Sequence, residues 1–329
     1  MKIAELKQVL SDQPKYRLVQ VYQAIFVDLI DDWSKVTALP KDLREKLAAN
    51  CPLDINAQKF ISRDGTVKAL FTLEDDKKIE GVLMRSRDER NTVCVSSQVG
   101  CPLGCLFCAT GQMGFQRNLT VDEIVEQVLF FAREVKREDS KITNIVFMGM
   151  GEPFLNYDNV LSAIRFLNDK ETMNVGARRF SISTIGIIDG IKRLAKERME
   201  INLAISLHAP NDSLRDQLMP INKKYSIKKV ISAVDDYIKI TNRQVMFEYL
   251  LIKNINDHPE LASELGVLMK KPLYVVNLIS YNPTGKFSAT EKEGQDKFKK
   301  VLEEAGVKVT LRHSFGKDIA AACGQLAIK

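Results

Sequence analysis

Apolar residues along this chain change their period twice. Up to about Leu53 they recur at helical spacing, as in Val19, Val21, Tyr22, Ile25, Phe26 and Leu29, with breaks at Pro14 and Pro40, which predicts a helical accessory domain over residues 1–55. Between Lys59 and Val95 the spacing shortens to alternating runs around Asp64-Gly65 and Asp75-Asp76, the pattern of β-hairpins, and predicts a β extension over 56–91. From Thr92 onward, short apolar runs at 92–97, 143–149, 179–185, 201–207, 244–251 and 273–281 alternate with helical stripes. The first stripe is announced by Thr120 with Glu123 three residues on, a capping box ahead of Ile124, Val128, Leu129 and Phe131. Helix-separated strands pair in parallel. Residues 92–329 are therefore expected to form an α/β core, a partial, open (β/α)6 barrel, because a closed barrel needs two more units.

In parallel barrels the chemistry gathers where strands end. Each predicted run stops at polar residues: Ser96-Ser97, Gly149-Met150-Gly151-Glu152, Ser183-Thr184, Ser206 with His208, Glu248 within the fifth run, and Asn277 to Asn282 around the sixth. Singly these are ordinary turn residues. Six in succession describe a ligand-binding rim.

Composition narrows the class without deciding it. The 329 residues are 45% hydrophobic and 27% charged, ordinary for a globular chain, and Lys plus Arg exceeds Asp plus Glu by 48 − 42 = 6, a mild basic excess that suits a polyanionic partner. The N-terminal stretch carries scattered charges, so no signal peptide or membrane span is expected and the cytosol is the predicted compartment. Six cysteines in a chain of this length fit ligands or catalysis better than a disulfide scaffold.

Three of those cysteines, Cys101, Cys105 and Cys108, stand in the run Cys-Pro-Leu-Gly-Cys-Leu-Phe-Cys. Iron-sulfur clusters are normally closed by four cysteines; a Cx3Cx2C triplet with no fourth nearby can hold a cubane while leaving one iron open to a small molecule. A zinc knuckle completed by a distant residue such as His208, or plain core packing, are the alternatives. Zinc sites bring a second pair of ligands at short range, and none follows here. Cys51 is expected to be a small buried hydrophobe.

The triplet, with Phe107 before its last cysteine, resembles the radical S-adenosylmethionine superfamily. Further motifs are closer still: Cys-Val-Ser-Ser-Gln-Val-Gly-Cys from Cys94, Met-Gly-Met-Gly-Glu-Pro from Met148, Ser-Leu-His-Ala-Pro-Asn-Asp from Ser206, Leu-Met-Pro-Ile-Asn-Lys-Lys-Tyr from Leu218, and Ala-Ala-Cys-Gly-Gln-Leu from Ala321. Together they resemble the dual-specificity ribosomal RNA adenine-C2 methyltransferases, across essentially the whole chain. That resemblance implies a 4Fe-4S cluster on Cys101, Cys105 and Cys108 and two molecules of S-adenosylmethionine per turnover. One would methylate Cys323. The other, cleaved at the cluster, would give an adenosyl radical that draws a hydrogen from the S-methyl group, so that a carbon radical adds to the adenine. Cys94 would release the product through a transient Cys94-Cys323 disulfide, for which it should be accessible and partly ionised. Gly151 and Glu152 would bind the methionine amino group, Ser183, Ser206, Leu207, His208 and Asn282 the rest of the cofactor, and Glu80 would accept a proton.

The implied partners are 23S ribosomal RNA, a transfer RNA, and an electron donor such as flavodoxin or ferredoxin, with a monomer expected and no membrane. Arg85, Arg87, Arg90, Arg178, Arg179, Lys223 and Lys224 are candidate phosphate contacts if they lie at the barrel mouth, and the helical domain is expected to help dock RNA. The chain departs from the family pattern at Ala320, where an acid is common. Pro153 resembles the C2 enzymes, whereas Phe315-Gly316 and Ile185-Gly186-Ile187-Ile188 resemble the related adenine-C8 resistance enzymes. A glycyl-radical-activating enzyme and a non-catalytic zinc-bearing RNA-binding protein are readings from other classes.

Overall fold

The computed structural model describes residues 2–86 and 88–327. Three helices open the chain, α1 (Ile3–Val9), α2 (Lys15–Tyr22) and α3 (Lys41–Asn50), and Pro14 and Pro40 stand at the caps of the latter two, where a missing N–H costs nothing. After Tyr22 the backbone widens into a π turn over Gln23–Val27. The expected stripe holds at Val21, Tyr22, Ile25 and Phe26, but Val19 is 55% exposed, because the face that packs is narrower than the apolar run. Edge-to-face rings of Tyr22, Phe26 and Phe166, 5.0–6.1 Å apart, dock these helices on the core. Cys51 is fully buried, and its carbonyl accepts from Trp33 Nε1 at 2.8 Å.

Strands β1 (Ala57–Ile61), β2 (Val67–Thr72) and β3 (Lys78–Arg85) form the two expected hairpins. The extension is not separate from the core: β3 pairs antiparallel with β4 (Asn91–Cys94), Val82 opposite Cys94. The chain continues through β5 (Gln98–Gly100), α4 (Ala109–Gln112), β6 (Phe115–Asn118), α5 (Val121–Lys136), β7 (Asn144–Phe147), α6 (Tyr157–Asn168), β8 (Phe180–Thr184), α7 (Ile188–Leu194), β9 (Asn202–Ser206), α8 (Asp212–Leu218), α9 (Ile227–Thr241), β10 (Val245–Leu251), α10 (Pro259–Met269), β11 (Tyr274–Ser280), α11 (Lys292–Glu304) and β12 (Val309–Arg312). One ten-stranded sheet runs in the order β1-β2-β3-β4-β7-β8-β9-β10-β11-β12, with parallel pairing from β4 to β12. The sheet is open, as expected. Its parallel part has seven strands, since β12 adds one to the six predicted. β5 and β6 form a separate two-stranded ribbon.

The capping box of α5 is present, with Thr120 N–H donating to Glu123 Oε2 at 2.8 Å and Glu123 N–H to Thr120 Oγ1 at 3.3 Å. Its stripe of Ile124, Val128, Leu129 and Phe131 is buried, each side chain contributing about 1.5–3 kcal/mol. Among the described residues no helix is long and apolar enough to cross a membrane.

Candidate active site

The cysteine triplet lies on the loop between β5 and α4, and glycines set its entry. A Cβ on Gly100, at φ +74°, would meet Gly114 O at 1.9 Å. Glycine at this place lets Cys101 N–H reach the same carbonyl at 2.9 Å. A bond from Leu106 N–H to Leu218 O, 3.0 Å, pins the loop to the end of α8. Cys101, Cys105 and Cys108 open onto one partly open cleft at the C-terminal edge of the strands. Burial pushes the Cys101 thiol up to about 12 and those of Cys105 and Cys108 upward too, a cost that bonding to a metal would offset. Among the described residues no three His, Cys, Asp or Glu side chains converge as one ion requires; a cubane, which takes each thiolate on a different iron, does not ask this of them.

The facing wall is built from strand ends. After β7 the chain passes Gly149 and Gly151, where added Cβ atoms would lie 2.7 Å from Val95 O and 2.5 Å from Gln98 Cβ, so the turn closes against its neighbour only with glycine. Glu152 follows, buried, accepting from Phe154 N–H and Ile185 N–H at 3.0 Å each. Loss of water raises its pKa to about 7. A buried carboxylate on a cleft, with no cationic partner among the described residues, suits the ammonium group of an amino acid cofactor.

Ser183 Oγ donates to Glu248 Oε2 at 2.6 Å, and Ser206 Oγ lies 3.4 Å from the same oxygen. His208, at φ +57°, accepts from Leu250 N–H at Nδ1 (3.1 Å), while its ring meets that of Phe107 edge-on at 4.8 Å. Burial and Arg215 lower its pKa to about 3. The imidazole is therefore neutral at physiological pH, its proton on Nε2, so that it can donate a hydrogen bond but carries no charge. Arg215, fully buried, laces the strand ends together through Leu207 O, Ile185 O and Ser206 O at 3.1, 2.6 and 3.2 Å.

Two expected cofactor contacts are not on the cleft wall. Leu207 is buried, with its N–H on Glu248 O and its carbonyl on Arg215. Asn282 gives its Nδ2 to Cys323 O at 3.3 Å, and its Oδ1 is buried without a partner.

Beside the cleft is a second cavity of about 620 Å³ whose lining includes Cys94, Arg312, Phe315 and Cys323. Cys323 and Arg312 line both spaces. The segment carrying Cys323 is a strap from Gly316 onward, held at one end by Asp64 (Gly316 N–H to Oδ2, 2.9 Å) and by Ser62 and Arg63 N–H on Asp318, and at the other by Ala109 N–H on Gly324 O (2.8 Å) and Thr110 Oγ1 on Leu326 O (2.5 Å). Ala320 sits in the strap at φ +50°, an uncommon conformation for a residue with a side chain. Arg312 ends β12, with Nη1 3.2 Å from Met148 Sδ and 3.7 Å from Glu248 Oε1.

The expected accessible, partly ionised Cys94 is not what the fold provides. Cys94 is 7% exposed, and burial first, then the neighbouring Cys323, push its thiol up to about 12 against the attraction of Arg312. Glu80 lines neither cavity. It is buried one strand away in an ion pair with Lys68 at 2.9 Å, its pKa raised by burial.

The basic candidates separate by place. Arg85 and Arg90 flank the N-terminal end of β4 and pair with Glu138 and Asp88, while Arg178 and Arg179 precede β8, Arg178 being held by Glu200 at 2.6 Å. These four lie at the sheet edge opposite the cleft, so they are corrected from the mouth-side set; Arg87 lies outside the described residues. Lys223 and Lys224, exposed on the turn after α8, are on the cleft's side, and neither has a carboxylate partner among the described residues. Sequence reasoning missed Arg215 and Arg312, and it left Glu248 only as a strand-end residue; the run Val-Lys-Val-Thr-Leu-Arg before His313 was the available signal for β12.

Residues 95–265 match the radical SAM superfamily. Probable dual-specificity RNA methyltransferases RlmN of Dictyoglomus thermophilum and Thermotoga petrophila are each 46% identical, over 98% and 96% of this chain and 94% and 92% of their own. A crystal structure of a radical SAM methyltransferase from Sphaerobacter thermophilus superposes with a TM-score of 0.94 at 45% identity, over 99% of this chain and 97% of that one. A cleft faced by three thiols on one side and strand-end polar groups on the other, in a chain of this likeness, belongs to the radical SAM superfamily and, within it, to the RlmN family of dual-specificity RNA methyltransferases.

Proposed function

We propose that this radical SAM RNA methyltransferase methylates carbon 2 of an adenine in 23S ribosomal RNA and of an adenine in a transfer RNA anticodon loop, with Cys323 as methyl carrier and Cys94 as releasing thiol. The observation that carries the reading is the position of Cys323, on the lining of both the cofactor cleft and the cavity where Cys94 opens. Cys101, Cys105 and Cys108 would hold the 4Fe-4S cluster, and Glu152, beside Gly151, the amino group of S-adenosylmethionine. Cluster and cofactor supply, when bound, a one-electron route to a hydrogen-abstracting radical, which an electrophilic adenine carbon requires. Ser183, Ser206 and the Nε2–H of His208 offer hydrogen bonds to the remaining cofactor groups. Leu207 and Asn282 act one step back, Leu207 through its backbone and Asn282 through the strap.

On the thiol side, Cys323 gives up its proton and takes a methyl group as a thioether. Once that carbon has bonded to the adenine and the adduct has given its ring proton to a base and one electron back to the oxidised cluster-level acceptor, the thiolate of Cys94 would attack the sulfur of Cys323. The electron pair of the breaking sulfur–carbon bond would leave with the product carbon, which takes up a proton to become the methyl group, and a disulfide would remain that a two-electron thiol reductant must reopen. Arg312 lines the same cavity as both thiols, and its charge favours the thiolate form of Cys94. Glu80 is assigned the base proton of the adduct, which requires it to be freed from Lys68. Lys223 and Lys224 are the proposed phosphate contacts, aided by the helical domain. A flavodoxin or ferredoxin is the proposed electron donor and a monomer in the cytosol the working state.

Pro153, which resembles the C2 enzymes at that place, supports carbon 2. Nucleoside mass spectrometry of 23S and transfer RNA from a host lacking its own family member tests the whole. The expected product is 2-methyladenosine that disappears with Cys323→Ala. 8-Methyladenosine, to which Ile185 on the cleft and Phe315 in the thiol cavity point, would overturn the position; methylation that survives Cys323→Ala would overturn the carrier.

A further inference from the structure

We propose that Glu248 is a positioning residue that couples the cofactor cleft to the thiol cavity, holding the Ser183 and Ser206 hydroxyls with one carboxylate oxygen and aiming Arg312 at Cys94 and Cys323 with the other. It rests on the reading of Cys94 and Cys323 as the reacting thiols. Glu248 lies near the middle of β10, opposite Ser206 of β9 and Asn277 of β11, and is 4% exposed. Its Oε2 takes the Ser183 hydroxyl at 2.6 Å and lies 3.4 Å from that of Ser206; its Oε1 faces Arg312 Nη1 at 3.7 Å. Its backbone carbonyl also receives Leu207 N–H and His208 N–H, at 3.0 and 3.2 Å, so the strand is fixed under it. A buried carboxylate this constrained cannot move toward one set of partners without leaving the other.

The guanidinium is placed with equal economy. Arg312 also lies 3.2 Å from the thioether of Met148 and 4.0 Å from that of Met84, both weak acceptors that do not fix a cation, and among the described residues its one carboxylate partner is Glu248. Glu248 is thus the group that directs it. A cofactor engaging Ser183 and Ser206 changes the demand on Oε2 and, through a rigid carboxylate, the position of Arg312.

Position and bare charge predict opposite results. As a negative charge alone, Glu248 disfavours the Cys94 thiolate, and neutralising it would speed alkylation. As a positioning group, its loss releases Arg312 and slows alkylation. The cluster-loaded protein is treated anaerobically with iodoacetamide, alkylation of Cys94 and Cys323 is followed by peptide mass spectrometry, and S-adenosylmethionine affinity is measured by calorimetry. Glu248→Gln is expected to alkylate about tenfold more slowly and bind cofactor about tenfold more weakly, and the double variant with Arg312→Met should alkylate no more slowly than Arg312→Met alone. Glu248→Asp, which keeps the charge but withdraws it from Arg312, should also be slow. Unchanged or faster alkylation, additive effects in the double variant, or unchanged cofactor affinity would each overturn the coupling. Alkylation needs no methyl transfer, so failure of the carrier reading would show separately, as methylated adenine made by Cys323→Ala.

Discussion

Glu152 allows cofactor binding to be predicted in numbers. Its burial lifts the carboxyl pKa from 4.5 to about 7, although the Ile185 and Phe154 amides and the Thr184 hydroxyl pull the other way. Ionising it inside the fold therefore costs about 3 kcal/mol more than in the unfolded chain. The folded protein binds this proton more tightly than the unfolded one, so the favourable contribution is whole below pH 4.5 and is lost as pH rises to about 7. An ammonium group set against the carboxylate reverses that preference. Below pH 7, binding of S-adenosylmethionine must expel the proton, and affinity should fall about tenfold per pH unit, whereas between about 7 and 7.5 it should level off. Calorimetry in two buffers of different ionisation enthalpy counts the proton released. Glu152→Gln, which cannot ionise, should bind about tenfold or more weakly at the plateau and show no pH dependence in this range. An affinity of the unsubstituted protein that stays constant from about pH 5.5 to 7.5, without a buffer-dependent heat, would refute the assignment of the amino group to Glu152.

Two further outcomes follow from packing. Gly151→Ala puts a methyl group 2.5 Å from Gln98 Cβ at φ +100°, so a loss of about 2–4 kcal/mol is expected, seen as a lower melting temperature together with weaker cofactor binding; an unchanged melting temperature would contradict it. Phe26→Ala opens the aromatic cluster that seats the N-terminal helices and should cost about 3–5 kcal/mol, read as rapid proteolysis of those helices with cofactor affinity retained; proteolysis spreading into the barrel at the same rate would show that the two parts unfold together.

What could be inferred from the sequence depended on whether the signal was periodic. The six strands from β4 to β11 that flank the cleft carry continuous apolar runs because helices cover them, and such runs stand out. β12 does not: only four residues long and at the sheet edge, it is partly exposed along its length, and Val309 and Leu311 alternate with Thr310 and Arg312 too briefly to mark a strand. With β12 went Arg312, and with Arg312 the environment of Cys94. The cysteine triplet and the glycine-rich strand end were visible as motifs, since local spacing alone brings those groups together. That the side chains of Leu207 and Asn282 do not line the cleft could not be read from order alone, because which atom of a residue reaches a cleft depends on neighbours far away in sequence, here Arg215 and the strap. Arg85, Arg90, Arg178 and Arg179 were misplaced for the same reason: a run such as Arg178-Arg179 says nothing of which end of a strand it occupies.

The strap has a consequence for the order of assembly. The bond between Ser62 and Asp318 joins residues 256 apart, whereas the three cysteines proposed to hold the cluster fall within eight positions on a loop fixed by its own ribbon. Contacts across so long a loop are late to form and, on an exposed segment, first to open. The cysteine-triplet loop can therefore reach its final shape while the Cys323 thiol is still elsewhere, and a fourth soft sulfur that would compete for the proposed cluster's iron arrives after the place for it has been settled.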